Sequence, residues 1–315
     1  MNNNYFFVVK TCGSVFTCRN HKISYALNQS NSGEIFDRVC LDFQADKIYN
    51  LQNKIIISDD VNKVFTYGYN GCFDLIENQP TIELYKIIIF DDMLTIIDNN
   101  CVTWTYCKNK WNVCDFLTPA LDILTYGIIY TILLDNDHNL YKIKTKHEHT
   151  EKEIIQYLPK IYKISCGFLH AVILDFDKKI WVIGDNKFRQ LGLENIKSVT
   201  KFTRITYDLP PFSEISCGKF HTCALDVDGK IWICGSNRYG QKGMTTKFSL
   251  IETPCIFSIV CTDFNTLALD YSGVLWACGH KNFTNQSECV YISENVIYIQ
   301  NTTTKLCTYG KSARF

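Results

Sequence analysis

One segment that occurs twice constrains this chain more than any other feature. Ile164-Ser-Cys-Gly-Phe-Leu-His170 returns 51 residues later as Ile215-Ser-Cys-Gly-Lys-Phe-His221. The same train follows each copy. Asp175 leads to Ile180-Trp181-Val182-Ile183-Gly184-Asp185-Asn186, and Asp226 leads to Ile231-Trp232-Ile233-Cys234-Gly235-Ser236-Asn237. A fixed period of this length marks a repeat architecture, in which each unit buries its apolar face only against its neighbours.

Fainter copies extend both ways. Downstream, Ile259-Val-Cys-Thr-Asp-Phe-Asn265 precedes Asp270 and Leu275-Trp276-Ala277-Cys278-Gly279. Upstream, Asp135 precedes Leu140-Tyr141, Asp98 precedes Val102-Thr103-Trp104, and Asp59 precedes Val64-Phe65. Seven aromatics (Phe16, Phe65, Trp104, Tyr141, Trp181, Trp232 and Trp276) fall at intervals of 49, 39, 37, 40, 51 and 44 residues.

Each unit reads as short strands: apolar residues alternate or run for a few positions, and β-branched and aromatic types are frequent. Asp226-Val-Asp-Gly229 and Asp270-Tyr-Ser-Gly273 have hairpin-turn chemistry. Four strands per unit make the fold class all-β, a seven-bladed β-propeller spanning 1–315 as one domain. Units are expected near 48–68, 87–107, 124–144, 164–192, 215–243 and 259–279. The seventh is split, with 5–18 completed by 297–310, so that the first and last strands close the ring and leave no exposed edge.

Formal net charge is zero, with 32 basic and 32 acidic residues. That argues against nucleic-acid binding, which usually shows a basic excess. The densest charged stretch, Lys142 to Glu153, is mixed in sign and reads as a solvated loop between units. Met1-Asn-Asn-Asn-Tyr5 lacks the basic start of a signal peptide, and the longest apolar run, Ile123 to Leu134, is too short to span a bilayer. The expectation is an intracellular protein, cytoplasmic or nuclear, neither secreted nor membrane-bound. Abundant isoleucine, asparagine and lysine suggest an AT-rich genome, such as a protist's or a large DNA virus's.

Sixteen cysteines invite a metal reading, but no two have C-x-x-C spacing. Many are repeat positions: Cys166, Cys217 and Cys261 share one, and Cys18, Cys234 and Cys278 another. Equivalent positions in different blades do not converge on one ion, so these read as buried packing thiols. His170 and His221 are repeat positions too and read as structural, hydrogen-bonded side chains. His147-Glu148-His149 places two imidazoles on one face of an extended segment but lacks a third ligand. The once-per-repeat aspartates suit turns, whose backbone N–H groups their carboxylates accept. No metal, cofactor or catalytic residue is expected.

The fuller unit, Gly218-Lys-Phe-His221-Thr-Cys-Ala-Leu225 through Gly235-Ser-Asn237-Arg-Tyr-Gly240-Gln241-Lys-Gly243, resembles the regulator of chromosome condensation (RCC1-type) repeat. Gly167 to Gly192 matches as well, ending in Gln190-Leu191-Gly192. The resemblance implies a seven-bladed propeller whose structural positions here are Gly167, His170, Trp181, Gly184, Gly218, His221, Trp232, Gly235, Trp276 and Gly279. It departs in units two to four, where most glycines are lost and Cys107 stands in place of Gly184 and Gly235. The three tryptophans are expected in the core, where each change to Ala costs ~3–5 kcal/mol.

Function is read as a non-catalytic protein-interaction scaffold, acting as a monomer. The resemblance also implies an alternative, nucleotide exchange on a Ran-like or other small GTPase, which needs only differential binding. A further alternative is chromatin or nucleosome binding, which the neutral charge and the absence of a basic tail disfavour. Candidate partner contacts are the loop side chains free of the repeat pattern: Lys187, Phe188 and Arg189 after Asn186, and Arg238 and Tyr239 after Asn237. Arginine and aromatic residues are common interface anchors.

Overall fold

In a computed structural model the described residues are 5–10, 15–19, 37–39, 45–51, 54–59, 63–67, 73–76, 84–90, 93–107, 110–115, 117, 119–126, 130–146, 149–236, 246–261, 265–279, 290–293 and 296–300. Their strands form seven four-stranded antiparallel sheets, and no α-helix occurs among them. The third sheet runs Leu84–Phe90, Met93–Asp98, Thr103–Cys107 and Lys110–Val113. The fourth is Asp122–Tyr126, Tyr130–Leu134, Leu140–Lys146 and His149–Ile154. The fifth is Ile161–Cys166, His170–Asp175, Ile180–Asp185 and Ser198–Arg204. The sixth is Phe212–Cys217, His221–Asp226, Ile231–Gly235 and Ser249–Ile251, and the seventh is Ile256–Cys261, Asn265–Asp270, Leu275–Gly279 and Val290–Ser293. Ala45–Leu51 opens the second sheet. In the first, Val296–Gln300 pairs with Tyr5–Lys10, joining strands from opposite ends of the chain. The units that have lost their glycines therefore keep four strands each.

The hairpin between second and third strands explains how. Its fourth residue has a left-handed backbone in five sheets: Cys101, His138, Lys178, Gly229 and Gly273 have φ of 62°, 62°, 62°, 76° and 77°. Glycine takes that conformation freely and other residues at a cost. The aspartate that begins each turn offsets the cost. Asp175 Oδ1 accepts from Lys179 N at 2.8 Å, and Asp226 Oδ1 accepts from Asp228 N and Lys230 N at 3.0 and 2.8 Å.

The same carboxylates do more than shape turns. Their other oxygen accepts the indole N–H six residues on, from Trp104 at 3.1 Å, Trp181 at 2.8 Å, and Trp232 and Trp276 at 2.9 Å. This corrects the expectation for Trp181, Trp232 and Trp276. They pack against the cores but are only partly buried. An indole must satisfy its N–H, and the partner stands at the sheet's rim, so the ring sits at the edge of the core. The full cost of deleting a buried aromatic does not apply to them.

Second strands are the most deeply buried elements: every residue of His170–Asp175, His221–Asp226 and Asn265–Asp270 is buried. Neighbouring sheets join through their first strands. Ser165 Oγ accepts from Cys217 N at 2.9 Å, and Ser216 Oγ accepts from Cys261 N at 2.8 Å. Glu214 spans three sheets, accepting from Lys163 Nζ at 2.7 Å and from Ile259 N at 3.0 Å.

The stretch from Lys142 to Glu153 is not a loop. Its residues lie mainly in the third and fourth strands of the fourth sheet, where the register pairs Lys142 with Glu153. Opposite charges across a strand pair favour that pairing. His147 and Glu148 fall outside the described residues.

Candidate functional site

At the end of the sheets where second strands begin, three loops of the fifth and sixth sheets meet. Two are the tight turns Gly167-Phe168-Leu169 and Gly218-Lys219-Phe220; the third follows the strand Ile180–Asp185. The turns must be tight because first and second strands are directly paired. At Gly167 a Cβ would strike the His170 ring and the Gly218 carbonyl oxygen, so only glycine fits. At Gly184, φ is +111° and a Cβ would strike the Leu169 carbonyl oxygen.

Side-chain amides shape the third loop. Buried Asn186 donates through Nδ2 to Leu193 O at 2.8 Å and Ile196 O at 2.6 Å, and accepts from Leu191 N at 2.9 Å. Fully buried Gln190 accepts from Phe188 N at 2.9 Å and donates to Asp185 Oδ2 at 3.2 Å. These bonds are the physical content of the Gly-x-Asn and Gly-Gln-Leu-Gly pattern. They hold Lys187, Phe188 and Arg189 outward on a fixed backbone, with Arg189 at φ 66°.

Phe188 packs on Phe220 with ring centroids 4.8 Å apart, and Phe168 meets Phe220 edge-on at 6.1 Å. Even so, Phe168 is 47% exposed and Phe188 44%. The Lys219 ammonium lies 5.1 Å from the Phe168 ring centre and 5.7 Å from that of Phe220. Lys187 lies 3.9 Å from Asp185 and Arg189 is exposed. The result is a rigid apolar patch edged by cations. Of the candidate contacts named from sequence, Lys187, Phe188 and Arg189 lie at this patch, whereas Phe168, Leu169, Lys219 and Phe220 were not among them. A signal existed, since these four are the variable residues between the repeat glycine and histidine. Arg238 and Tyr239 lie outside the described residues.

Beneath the patch are the repeat histidines. His170 Nε2 bonds Thr222 Oγ1 at 3.0 Å, and His221 Nε2 bonds Thr266 Oγ1 at 3.2 Å. Among the described residues neither Nδ1 has a partner, so the expectation of fully hydrogen-bonded rings holds for one nitrogen of each. For His170 the reason is the close approach of Gly167, whose backbone crowds the Nδ1 edge of the ring. Burial, reinforced by His221, pushes the His170 pKa down to about 3, so the ring is neutral.

Two cysteines complete a cluster with one of these histidines. The non-equivalent Cys223 and Cys261 meet across the joint between sixth and seventh sheets. With His221 they place one donor atom each within 4.8 Å of the others.

Comparison with known proteins agrees with this architecture. Residues 161–190 and 212–241 match the regulator of chromosome condensation (RCC1) repeat, with an overlapping match over 177–225. The X-linked retinitis pigmentosa GTPase regulator homolog of Caenorhabditis elegans is 33% identical over 88 residues, 27% of this chain and 6% of that protein. An RCC1 domain-containing protein of Dictyostelium discoideum is 34% identical over 107 residues, 29% of this chain and 20% of that protein. The chain thus spans at most a fifth of either relative's length. Among solved structures, human WBSCR16 superposes with a TM-score of 0.65 at 12% identity, covering 92% of this chain and 95% of that one. Prp20p of Saccharomyces cerevisiae gives 0.63 at 12% identity, covering 90% and 82%. The chain carries RCC1 repeats, and its fold is that of the RCC1-like propellers.

Proposed function

We propose that this bearer of RCC1 repeats is a non-catalytic protein-interaction module, and that its partner docks on the rim formed by Phe168, Phe188 and Phe220. The observation that carries this reading is an aromatic cluster in which exposed Phe168 and Phe188 each meet half-buried Phe220, with the Phe188 loop held by Asn186 and Gln190. Rigid aromatics lose little entropy on binding, and aromatic and arginine side chains dominate interface energetics. Lys187, Arg189 and Lys219 around the rings favour an acidic protein surface with an apolar centre. The reading takes the seven sheets as one closed ring, a single domain acting as an intracellular monomer.

The test is affinity for a captured partner, measured by calorimetry. Phe188→Ala and Phe220→Ala are each expected to weaken binding by about 2 kcal/mol, the scale of a central anchor. Tyr271→Ala is the control: this side chain is 71% exposed, at the hairpin between second and third strands on the opposite rim. Loss with Tyr271→Ala and not with the phenylalanine variants would move the interface to that rim.

A second reading is nucleotide exchange on a small GTPase. Yeast Prp20p, which shares the fold, binds Gsp1p and histones, and an exchange factor can work by binding the nucleotide-free state alone. Release of a fluorescent GDP analogue from a GTPase panel, Ran included, tests it. Acceleration by sub-stoichiometric protein would establish exchange, and unchanged release would leave the interaction module.

A further inference from the structure

The joint between sixth and seventh sheets holds a donor set that the other described joints lack. His221 and Cys223 are two apart on one strand and so project to the same face. Cys261 ends the neighbouring first strand. All three side chains are fully buried, and one donor atom from each lies within 4.8 Å of the others. Thr266 Oγ1 stands among them, 3.2 Å from His221 Nε2, 3.2 Å from Cys223 Sγ and 4.0 Å from Cys261 Sγ.

The preceding joint separates what belongs to the repeat from what is particular here. There His170 Nε2 meets Thr222 Oγ1 at 3.0 Å, and Cys217 Sγ lies 4.0 Å from the same hydroxyl. The histidine–threonine–cysteine contact is therefore common repeat structure. Val172 occupies the place of Cys223. One substitution thus converts a packing contact into two sulfurs and an imidazole.

We propose that His221, Cys223 and Cys261 form a binding site for a thiophilic d10 metal ion, Cu(I) or Zn(II). Thiolate and imidazole donors select these ions over harder cations. Three such donors suffice for Cu(I), whereas structural zinc almost always takes four, so Cu(I) is expected to bind more tightly. Binding displaces thiol protons to solvent and leaves the oxidation state of sulfur unchanged. The site lies where Cys261 closes one strand and His221 opens the next, so the ion enters from the rim that carries the aromatic patch.

The test uses the full chain, reduced and stripped with a chelator. Cu(I) is titrated in competition with bathocuproine disulfonate, and Zn(II) in competition with a chromophoric chelator. One tight equivalent is expected, with copper X-ray absorption showing two sulfurs and one nitrogen. Cys223→Val restores the residue of the preceding joint and should keep the urea midpoint. It should still weaken binding more than about tenfold, since losing even an outer partner of a metal ligand costs that much. Cys217→Ser should leave the tight equivalent intact. Zinc binding more tightly than copper would assign the site to zinc, with Thr266 as fourth donor. Undiminished binding of both ions by Cys223→Val, or no tight equivalent of either, would overturn the proposal. So would a Cys223–Cys261 disulfide in protein purified without air.

Discussion

The bond from each turn aspartate to the tryptophan six residues later ties a hairpin to the edge of the core, and its strength is measurable. In the sixth sheet Asp226 is 5% exposed and accepts three hydrogen bonds: two from the backbone of its own turn and one from Trp232 Nε1 at 2.9 Å. A hydrogen bond to a charged acceptor contributes about 1.5–3 kcal/mol net. Trp232→Phe removes that bond and a little packing, so a loss of about 2–3 kcal/mol is expected. Asp226→Ala removes all three bonds and should cost more, roughly 3–5 kcal/mol after water reaches the turn. Because both variants delete the indole bond, the double variant should cost less than the sum by about 1.5 kcal/mol or more. Urea unfolding followed by far-ultraviolet circular dichroism gives the four stabilities. A coupling below about 0.5 kcal/mol, the usual error of additivity, would refute the claim that the indole bond carries the aromatic's contribution. It would return Trp232 to the role of a packing residue.

Other outcomes follow from neighbouring geometry. His170 has a folded pKa of about 3, against 6.5 for the ordinary side chain. Its contribution is therefore complete above pH 6.5 and is lost as pH falls toward 3. His170→Asn, which copies Asn265 of the next sheet, should show a correspondingly flatter stability profile between about pH 6 and 4. Gly184→Ala, which puts a Cβ against the Leu169 carbonyl at φ +111°, should cost more than about 2 kcal/mol in urea unfolding. Asn186→Ala strips the three bonds that hold the loop over 187–197, so limited proteolysis should cut there many times faster than in the parent while the sheets stay folded.

Much of this fold was legible because the signal was repeated. An aspartate six residues before an aromatic is hairpin geometry written in sequence, and it survives in the third sheet, where glycines have gone and Cys101 takes the left-handed position. Fourth strands were not legible. Ser198–Arg204 is exposed at most positions, with Phe202 its buried residue, so hydrophobic alternation never develops. His149–Ile154 is hidden for the same reason inside a run of charges. Of the aromatic patch, Phe188 stands out in sequence as a loop residue outside the repeat pattern, whereas the turn between glycine and histidine reads only as motif. The histidine–cysteine cluster could not be read by comparing equivalent positions. Its members are offset across the joint, two from a second strand and one from the first strand of the next sheet.

The serine-to-backbone clasp between first strands has a consequence for how such a chain can change. Ser165 reaches Cys217 across 52 positions and Ser216 reaches Cys261 across 45, yet the two bonds are 2.9 and 2.8 Å. The seam is thus indifferent to how much chain lies between successive clasps. Insertions into the outer loops can accumulate without straining it, and a lineage can remodel the surface it offers to others while inheriting the same hub.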